Sequence, residues 1–224
     1  FDYLPKPFDL PDLMKRVAKA LEQKKITHGT NKKNDDDPNS ETGLPLVGKS
    51  VPMQGVYRLV ARLMNADLPV LVSGESGTGK SLIAKVLHGF SDRRNSPYVS
   101  ISSGDLVELD GPAKILAKVK GGSLVIEEIS DFSLESQARL VQMIDNPGEY
   151  SPRFIATIQG NMMDAVDNGM IRKDLFYRLG GATIELPSLR ECVDDISILT
   201  DHFLNMFEKD GGPKRHLEKK AKEL

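Results

Sequence analysis

Cysteine is all but missing from the sequence: Cys192 is the only one among 224 residues, so no disulfide can form within the chain. A reducing cytoplasm is the compartment this composition suits. No apolar run approaches the roughly eighteen residues of a membrane-spanning helix, and no charged-then-apolar leader opens the sequence. The expectation is a cytoplasmic protein with no membrane partner. A surplus of positive charge is lacking as well, since 30 Lys and Arg stand against 32 Asp and Glu for a formal net charge of −2. That balance denies the whole chain the profile of a free-standing nucleic-acid binder. The histidines, His28, His88, His202 and His216, are dispersed without metal-ligand spacing, and no internal repeat is visible.

What the sequence does hold is 39% hydrophobic and 28% charged residues, the profile of a soluble globular protein long enough for one domain and part of another. It opens on Phe1 and stops in a charged stretch, so a piece of something longer is expected. Apolar residues Leu10, Leu13, Met14, Val17 and Leu21 fall at helical spacing with Pro11 in the first turn. Residues 24–45 are polar, with Lys32, Lys33 and Asp35–Asp37 running into Pro38, and read as a linker. From Val47 onward, β-branched runs at 68–73, 98–102, 123–129, 154–158 and 182–186 alternate with helical periods at 51–64, 80–88, 112–119, 134–144 and 161–166. Such alternation predicts an α/β fold with a mostly parallel sheet covered on both faces. After Pro187 the pattern is helical alone, with Ile196, Leu199, His202, Phe203 and Phe207 on one side.

Gly74-Glu75-Ser76-Gly77-Thr78-Gly79-Lys80-Ser81 fits the phosphate-loop pattern at every fixed position, between an apolar strand and a helix. Glycines let successive N–H groups turn toward phosphate oxygens, and the helix that follows adds the positive end of its dipole. Lys80 is expected to reach the β and γ phosphates of ATP and Ser81 a Mg²⁺ ion. The competing reading, a glycine-rich turn that binds nothing, has both string and context against it. Phosphoryl transfer also needs a carboxylate for the metal and one for the attacking water. Leu124-Val125-Ile126-Glu127-Glu128 offers Glu127 for the first and Glu128 for the second, against the alternative of two solvated acids at a strand end. Glu127 is one methylene longer than the Asp normal at that position.

With these motifs in place the chain resembles the central AAA+ ATPase domain of the NtrC family of bacterial response regulators, which activate sigma-54 RNA polymerase. The resemblance runs in order through Gly74–Lys80, Gly121–Ile129, Ile171–Leu179 and Leu186–Glu191, and covers roughly residues 46–207. It implies that 1–23 end a receiver domain, with Lys6-Pro7 as its sensing lysine and cis-proline turn. It further implies that 24–45 are a flexible linker, 46–187 the α/β subdomain of an AAA+ P-loop NTPase, and 188–224 part of a helical lid. Val47, Gly48 and Gln159 join Gly74–Ser81 as nucleotide-binding residues, and Arg172 and Arg178 become arginine fingers serving the next subunit of a ring. On spacing alone the two arginines would read as surface residues paired with Asp174. The implied partners are other copies of the chain, RNA polymerase holoenzyme, a sensor histidine kinase through the receiver domain, and DNA through a C-terminal domain absent from this chain.

The departures are specific. The family's protruding Gly-Ala-Phe-Thr-Gly-Ala loop has no counterpart, because Ser103–Ala113 runs almost directly into the helix before Gly121. Ser102 stands where the family keeps an asparagine that switches the catalytic glutamate, and Gln159 where its sensor keeps another. Ser81, uncommon in the family, restores the general phosphate-loop rule. Cys192 reads as a helix-start residue, and the basic tail from Lys214 to Lys222 as a solvated face broken by Glu218. The leading expectation is an ATP-binding and ATP-hydrolysing transcriptional response regulator of the nitrogen-regulation type that bypasses the usual sigma-54 loop. The alternative is a nucleotide-gated assembly module with little or no hydrolysis. A P-loop kinase or motor of another family is a third reading, which the paired arginines oppose.

Overall fold

The computed structural model describes residues 46–108 and 110–215. The expectations for the helix at 10–23, Lys6-Pro7, the linker and His216 onward lie outside the described residues. Twelve regular elements follow one another: α1 (Val51–Leu63), β1 (Val70–Gly74), α2 (Lys80–Gly89), β2 (Tyr98–Ile101), α3 (Gly111–Val119), β3 (Ser123–Ile126), α4 (Leu134–Asp145), β4 (Arg153–Gln159), α5 (Met162–Asp167), α6 (Lys173–Leu179), β5 (Ala182–Glu185) and α7 (Val193–Lys209). All strand pairs are parallel, in the order β2-β3-β4-β1-β5. The chain leaving β1 therefore crosses two strands to reach β2, and the crevice beyond the carboxyl ends is where such sheets bind ligands.

Sequence pattern accounts for most elements. Val56, Val60 and Leu63 bury one face of α1, and Ile83, Ala84 and Leu87 do the same on α2. Pro112 sits in the first turn of α3, where its missing N–H costs little. Ser133 caps α4 by accepting the Ser136 N–H at 3.1 Å, and Asn161 caps α5 by accepting the Met163 N–H at 2.7 Å. β4 is central, buried from Arg153 to Ile158. α2 packs on β1 and β4, α3 on β2, and α4 on α6.

The expected α/β architecture is observed, with three local differences. The run expected as a strand over 123–129 stops at Ile126, because Glu128 turns to a φ of 48° and Ile129–Asp131 forms a 3-10 turn. The seven-residue α6 carries no strong sequence signal, yet Leu175 and Leu179 are fully buried and fix it. On α7 the apolar side is exposed rather than buried, with Ile196 at 42%, Phe203 at 62% and Phe207 at 45%.

By contacts the described residues fall into two compact units, one of Arg58–Leu186 and one in which residues 46–57 associate with 187–215. The first holds the sheet and the main core. At the amino ends of its strands the Arg153 guanidinium is buried against the carbonyls of Leu63, Met64 and Leu87. Beside it, His88 Nδ1 lies 2.9 Å from the Ser123 hydroxyl. Burial, and then the charge of Arg153, hold the His88 imidazole below its ordinary pKa of 6.5. A base with a lowered folded pKa binds fewer protons in the folded state, so its stabilisation is complete above pH 6.5 and is lost as the pH falls through the folded pKa. The thermal unfolding midpoint should therefore fall on acidification below pH 6.5, and His88→Asn should show a shallower fall than the parent in matched calorimetric scans.

Candidate functional site

The loop between β1 and α2 is shaped by its glycines. Gly77 and Gly79 have φ of 81° and 96°, in the left-handed region, and a Cβ at either would meet nothing within 4 Å. The backbone conformation, not crowding, asks for glycine there. The Thr78 hydroxyl closes the turn by donating to the Glu75 carbonyl at 2.8 Å. Gly79 is the N-cap of α2, so the first free N–H groups of that helix border the loop. Glu75, Ser76, Gly77 and Ser81 are exposed, whereas Lys80 is only 7% exposed. Its ammonium donates to the carbonyls of Gly74 at 3.1 Å and Glu75 at 3.2 Å, and pairs with Glu128 Oε1 at 2.9 Å.

Two adjacent acids at the end of β3 take different partners. The Glu127 N–H donates to the Ile101 carbonyl at 2.9 Å, and its carboxylate accepts from the Ser100 hydroxyl of β2 at 2.6 Å. Burial, together with the Glu127 charge, pushes the Tyr98 phenol up to about 12. Glu128 turns the other way: its N–H donates to Thr157 Oγ1 of β4 at 2.9 Å while its carboxylate faces Lys80. Ser102 is engaged locally: its N–H and hydroxyl both donate to Asp105, at 2.7 and 2.9 Å. Gln159 is exposed at the end of β4, opposite Gly74 in the register. The structure thus brings Lys80, Glu128, Gly74 and Gln159 to the carboxyl ends of the central strands.

Arg172 caps the start of α6 and Arg178 lies in its last turn, and both are engaged within the chain. Arg172 makes a two-pronged contact with Asp174 at 3.0 and 2.7 Å. Arg178 makes another with Asp145 at 2.6 Å for both bonds. Hydrogen bonds from the guanidinium groups hold the Asp174 and Asp145 carboxyls below the usual carboxylate range, and raise both arginines. Gln137, fully buried on α4, fixes the approach to α6 by donating to the carbonyls of Phe132 and Met170 and accepting the Arg172 N–H. Neither Gln137 nor Thr157 was legible as a site residue, because each acts from an element distant in sequence. Arg139 is the third such residue. Its guanidinium donates to the carbonyls of Leu106, Val107 and Glu108, holding the short connection before α3.

In the smaller unit, Val47 is half-buried and Gly48 buried. The Asp195 carboxylate, 1% exposed, accepts the N–H groups of Lys49 at 2.6 Å and Ser50 at 2.8 Å. A Cβ on Gly48 would stand 2.9 Å from Asp195 Oδ2, so glycine is required for this approach. Cys192 is buried directly before α7. Among the described residues no group of three His, Cys, Asp or Glu could hold a metal by itself, and no helix is long and apolar enough to cross a membrane.

Residues 47–189 match the family described as the sigma-54 interaction domain. The DNA-binding transcriptional regulator NtrC of Rhizobium meliloti (strain 1021) is 36% identical over 253 residues, an alignment spanning 100% of this chain and 51% of that protein. The Escherichia coli (strain K12) regulator of the same name is 32% identical over 95% of this chain and 50% of its own length. The chain spans about half the length of these relatives. In three dimensions it is similar to NtrX from Brucella abortus, solved in complex with ADP, at a TM-score of 0.71 and 23% identity over 98% of this chain and 55% of that one. The P-loop NTPase domain of a sigma-54 transport activator from E. coli matches with a TM-score of 0.52 and 23% identity, over 64% of this chain and 99% of that one. These likenesses carry the fold, an AAA+ type P-loop NTPase. The loop geometry makes a first prediction about the site: Gly77→Ala, forced into a left-handed backbone without a clash, should lower unfolding stability by about 1–2 kcal/mol in urea titrations while the fold is kept.

Proposed function

The chain belongs to the sigma-54 interaction domain family, and on that footing we propose that it is the ATP-binding and ATP-hydrolysing module of an NtrC-type transcriptional response regulator. One observation carries this reading: a buried lysine at the base of a left-handed glycine loop, 2.9 Å from a carboxylate delivered by a neighbouring strand. Cradle and cation fit a triphosphate, since the open space above Gly77 and Gly79 admits phosphate oxygens against backbone N–H groups. Lys80 would exchange Glu128 for the β and γ phosphates. Glu128, released, would accept the proton of the attacking water. Mg²⁺, when bound, neutralises charge on the transferring group, with the exposed Ser81 hydroxyl and Glu127 as its candidate ligands. Glu75, Ser76, Thr78 and Gln159 complete the proposed nucleotide set within the sheet unit.

In this reading Arg172 and Arg178 leave their intramolecular carboxylates to reach the nucleotide of the next subunit in a ring. The proposed organisation is a receiver end at 1–23, a linker at 24–45, the α/β subdomain at 46–187 and part of a lid at 188–224. The remaining partners are RNA polymerase holoenzyme, DNA through a further domain, and a sensor kinase, in the cytoplasm. A nucleotide-gated module with little hydrolysis is the second reading, favoured by Ser102 being bound to Asp105 and Glu127 to Ser100.

Calorimetry with Mg-ATP should show Lys80→Ala binding abolished, and unchanged affinity would remove the assignment. Glu128→Gln should bind ATP but not turn it over; a parent protein without turnover when assembled selects the second reading. Hydrolysis should rise with protein concentration and be lost in Arg178→Ala. Mixing that variant with Lys80→Ala should restore part of it, because each subunit supplies what the other lacks; absence of rescue in confirmed mixed assemblies argues against action between subunits. The short connection held by Arg139 supports one more expectation, that the full protein does not open promoters with sigma-54 holoenzyme in the family's usual way. Reconstituted open-complex assays with sigma-54 and housekeeping holoenzymes check it, and ATP-dependent opening with sigma-54 alone would refute it.

A further inference from the structure

Three non-glycine residues among those described have a left-handed backbone: Lys120, Glu128 and Ser151. Lys120 closes α3 and Ser151 closes the 3-10 turn at Gly148–Tyr150, positions where such a conformation commonly ends a helix. Glu128 has no such excuse. It follows a strand, with φ 48° and ψ 70°, and a glutamate gains nothing local from that region, unlike Asn or Asp. A residue held this way needs its surroundings to fix it.

The fixing contact comes from Thr157. Ile126 pairs with Ala156 at the end of the β3–β4 ladder, so Thr157 lies one residue beyond the last partner of β3. There the hydroxyl of a side chain that is 1% exposed accepts the Glu128 N–H at 2.9 Å, in place of a ladder carbonyl. The β4 backbone is meanwhile committed to β1, where Val72 pairs with Thr157. The hydroxyl thus holds the turn that sends the Glu128 carboxylate to Lys80 instead of continuing the strand. We propose that Thr157 is a positioning residue for Glu128, setting the backbone turn that aims this carboxylate at the phosphate loop. The inference rests on the proposed role of Glu128 in activating water.

Thr157→Val preserves the β-branched shape and removes the hydroxyl, donor and acceptor alike; Thr157→Ser keeps the hydroxyl and removes a methyl group. Steady-state hydrolysis and Glu128 amide exchange, followed by NMR on the full chain without nucleotide, test the proposal together. The expected result for Thr157→Val is a kcat lower by about 10- to 100-fold, as displaced catalytic groups give. KM and ATP affinity should not weaken by more than about twofold, because the Gly74 and Glu75 carbonyls still hold Lys80 while only its Glu128 partner moves. Glu128 amide exchange should be faster, and Thr157→Ser should return both readouts toward the parent. A general loss of packing would instead lower stability in both variants without separating kcat from KM. Parental kcat and parental Glu128 protection in Thr157→Val would overturn the proposal. If the parent protein itself does not hydrolyse ATP, the reading of Glu128 as base fails separately. The exchange data then still decide whether Thr157 holds the turn: faster exchange upholds it and unchanged exchange refutes it.

Discussion

Parallel pairing of β1 with β4, and of β4 with β3, is the constraint on which the site depends. Because every strand of the sheet runs the same way, the glycine loop after β1 and the acids after β3 emerge at the same, carboxyl, end of the sheet, although they lie far apart in the chain. Only then can Lys80 and Glu128 meet at 2.9 Å. The register is as important as the direction. A slip of one residue between β3 and β4 would turn Thr157 to the opposite face and leave the Glu128 N–H without its acceptor. The sheet therefore does more than support the loop; it sets the angle at which a carboxylate approaches it.

The arginines at the start and in the last turn of α6 sit in a different electrostatic regime. Arg172 and Asp174 are 39% and 38% exposed, and Arg178 and Asp145 are 33% and 42% exposed. Ion pairs in such contact with water are worth about 0–1 kcal/mol, however good their geometry. Either guanidinium can exchange its carboxylate for a more highly charged partner at small cost. Lys80 is under tighter control, since it is buried and two carbonyls accept from it besides Glu128. Exchangeable cations at the surface, distinct from a fixed one in the loop, are what a reaction shared between subunits would need, so their exposure agrees with the proposed role of Arg172 and Arg178.

How much of this was readable beforehand depended on whether the signal was local. The phosphate loop was legible because one continuous octapeptide contains its whole logic, and the strands were legible because β-branched runs alternated with helical periods. α6 was missed because only Leu175 and Leu179 mark its buried side, too short a record for a period to emerge. The strand over 123–129 was drawn too long because Ile129 is buried like a strand residue while belonging to a 3-10 turn. Partnerships across the fold left no trace in the sequence at all. Nothing beside Glu127 announces Ser100, nothing beside Arg178 announces Asp145, and Ser102, read only as a departure from a family asparagine, is taken up by its own neighbour Asp105.

The short connection before α3 has a bearing on how this fold can change over generations. Closing a longer loop costs only about 0.6 kcal/mol for each doubling of length, so entropy is not what keeps the segment brief. What fixes it are its two ends. Arg139 grips the carbonyls of Leu106, Val107 and Glu108, and Gly111 lies so near the Asp105 carbonyl that a Cβ there would be 2.9 Å away. Between those anchors, with the Gly111 N–H bonded back to the Glu108 carbonyl at 3.2 Å, exit and re-entry points already lie side by side. An insertion there would leave sheet, loop and carboxylates where they are. Chain length at this point is thus bounded by two anchored ends rather than by the sheet beneath them.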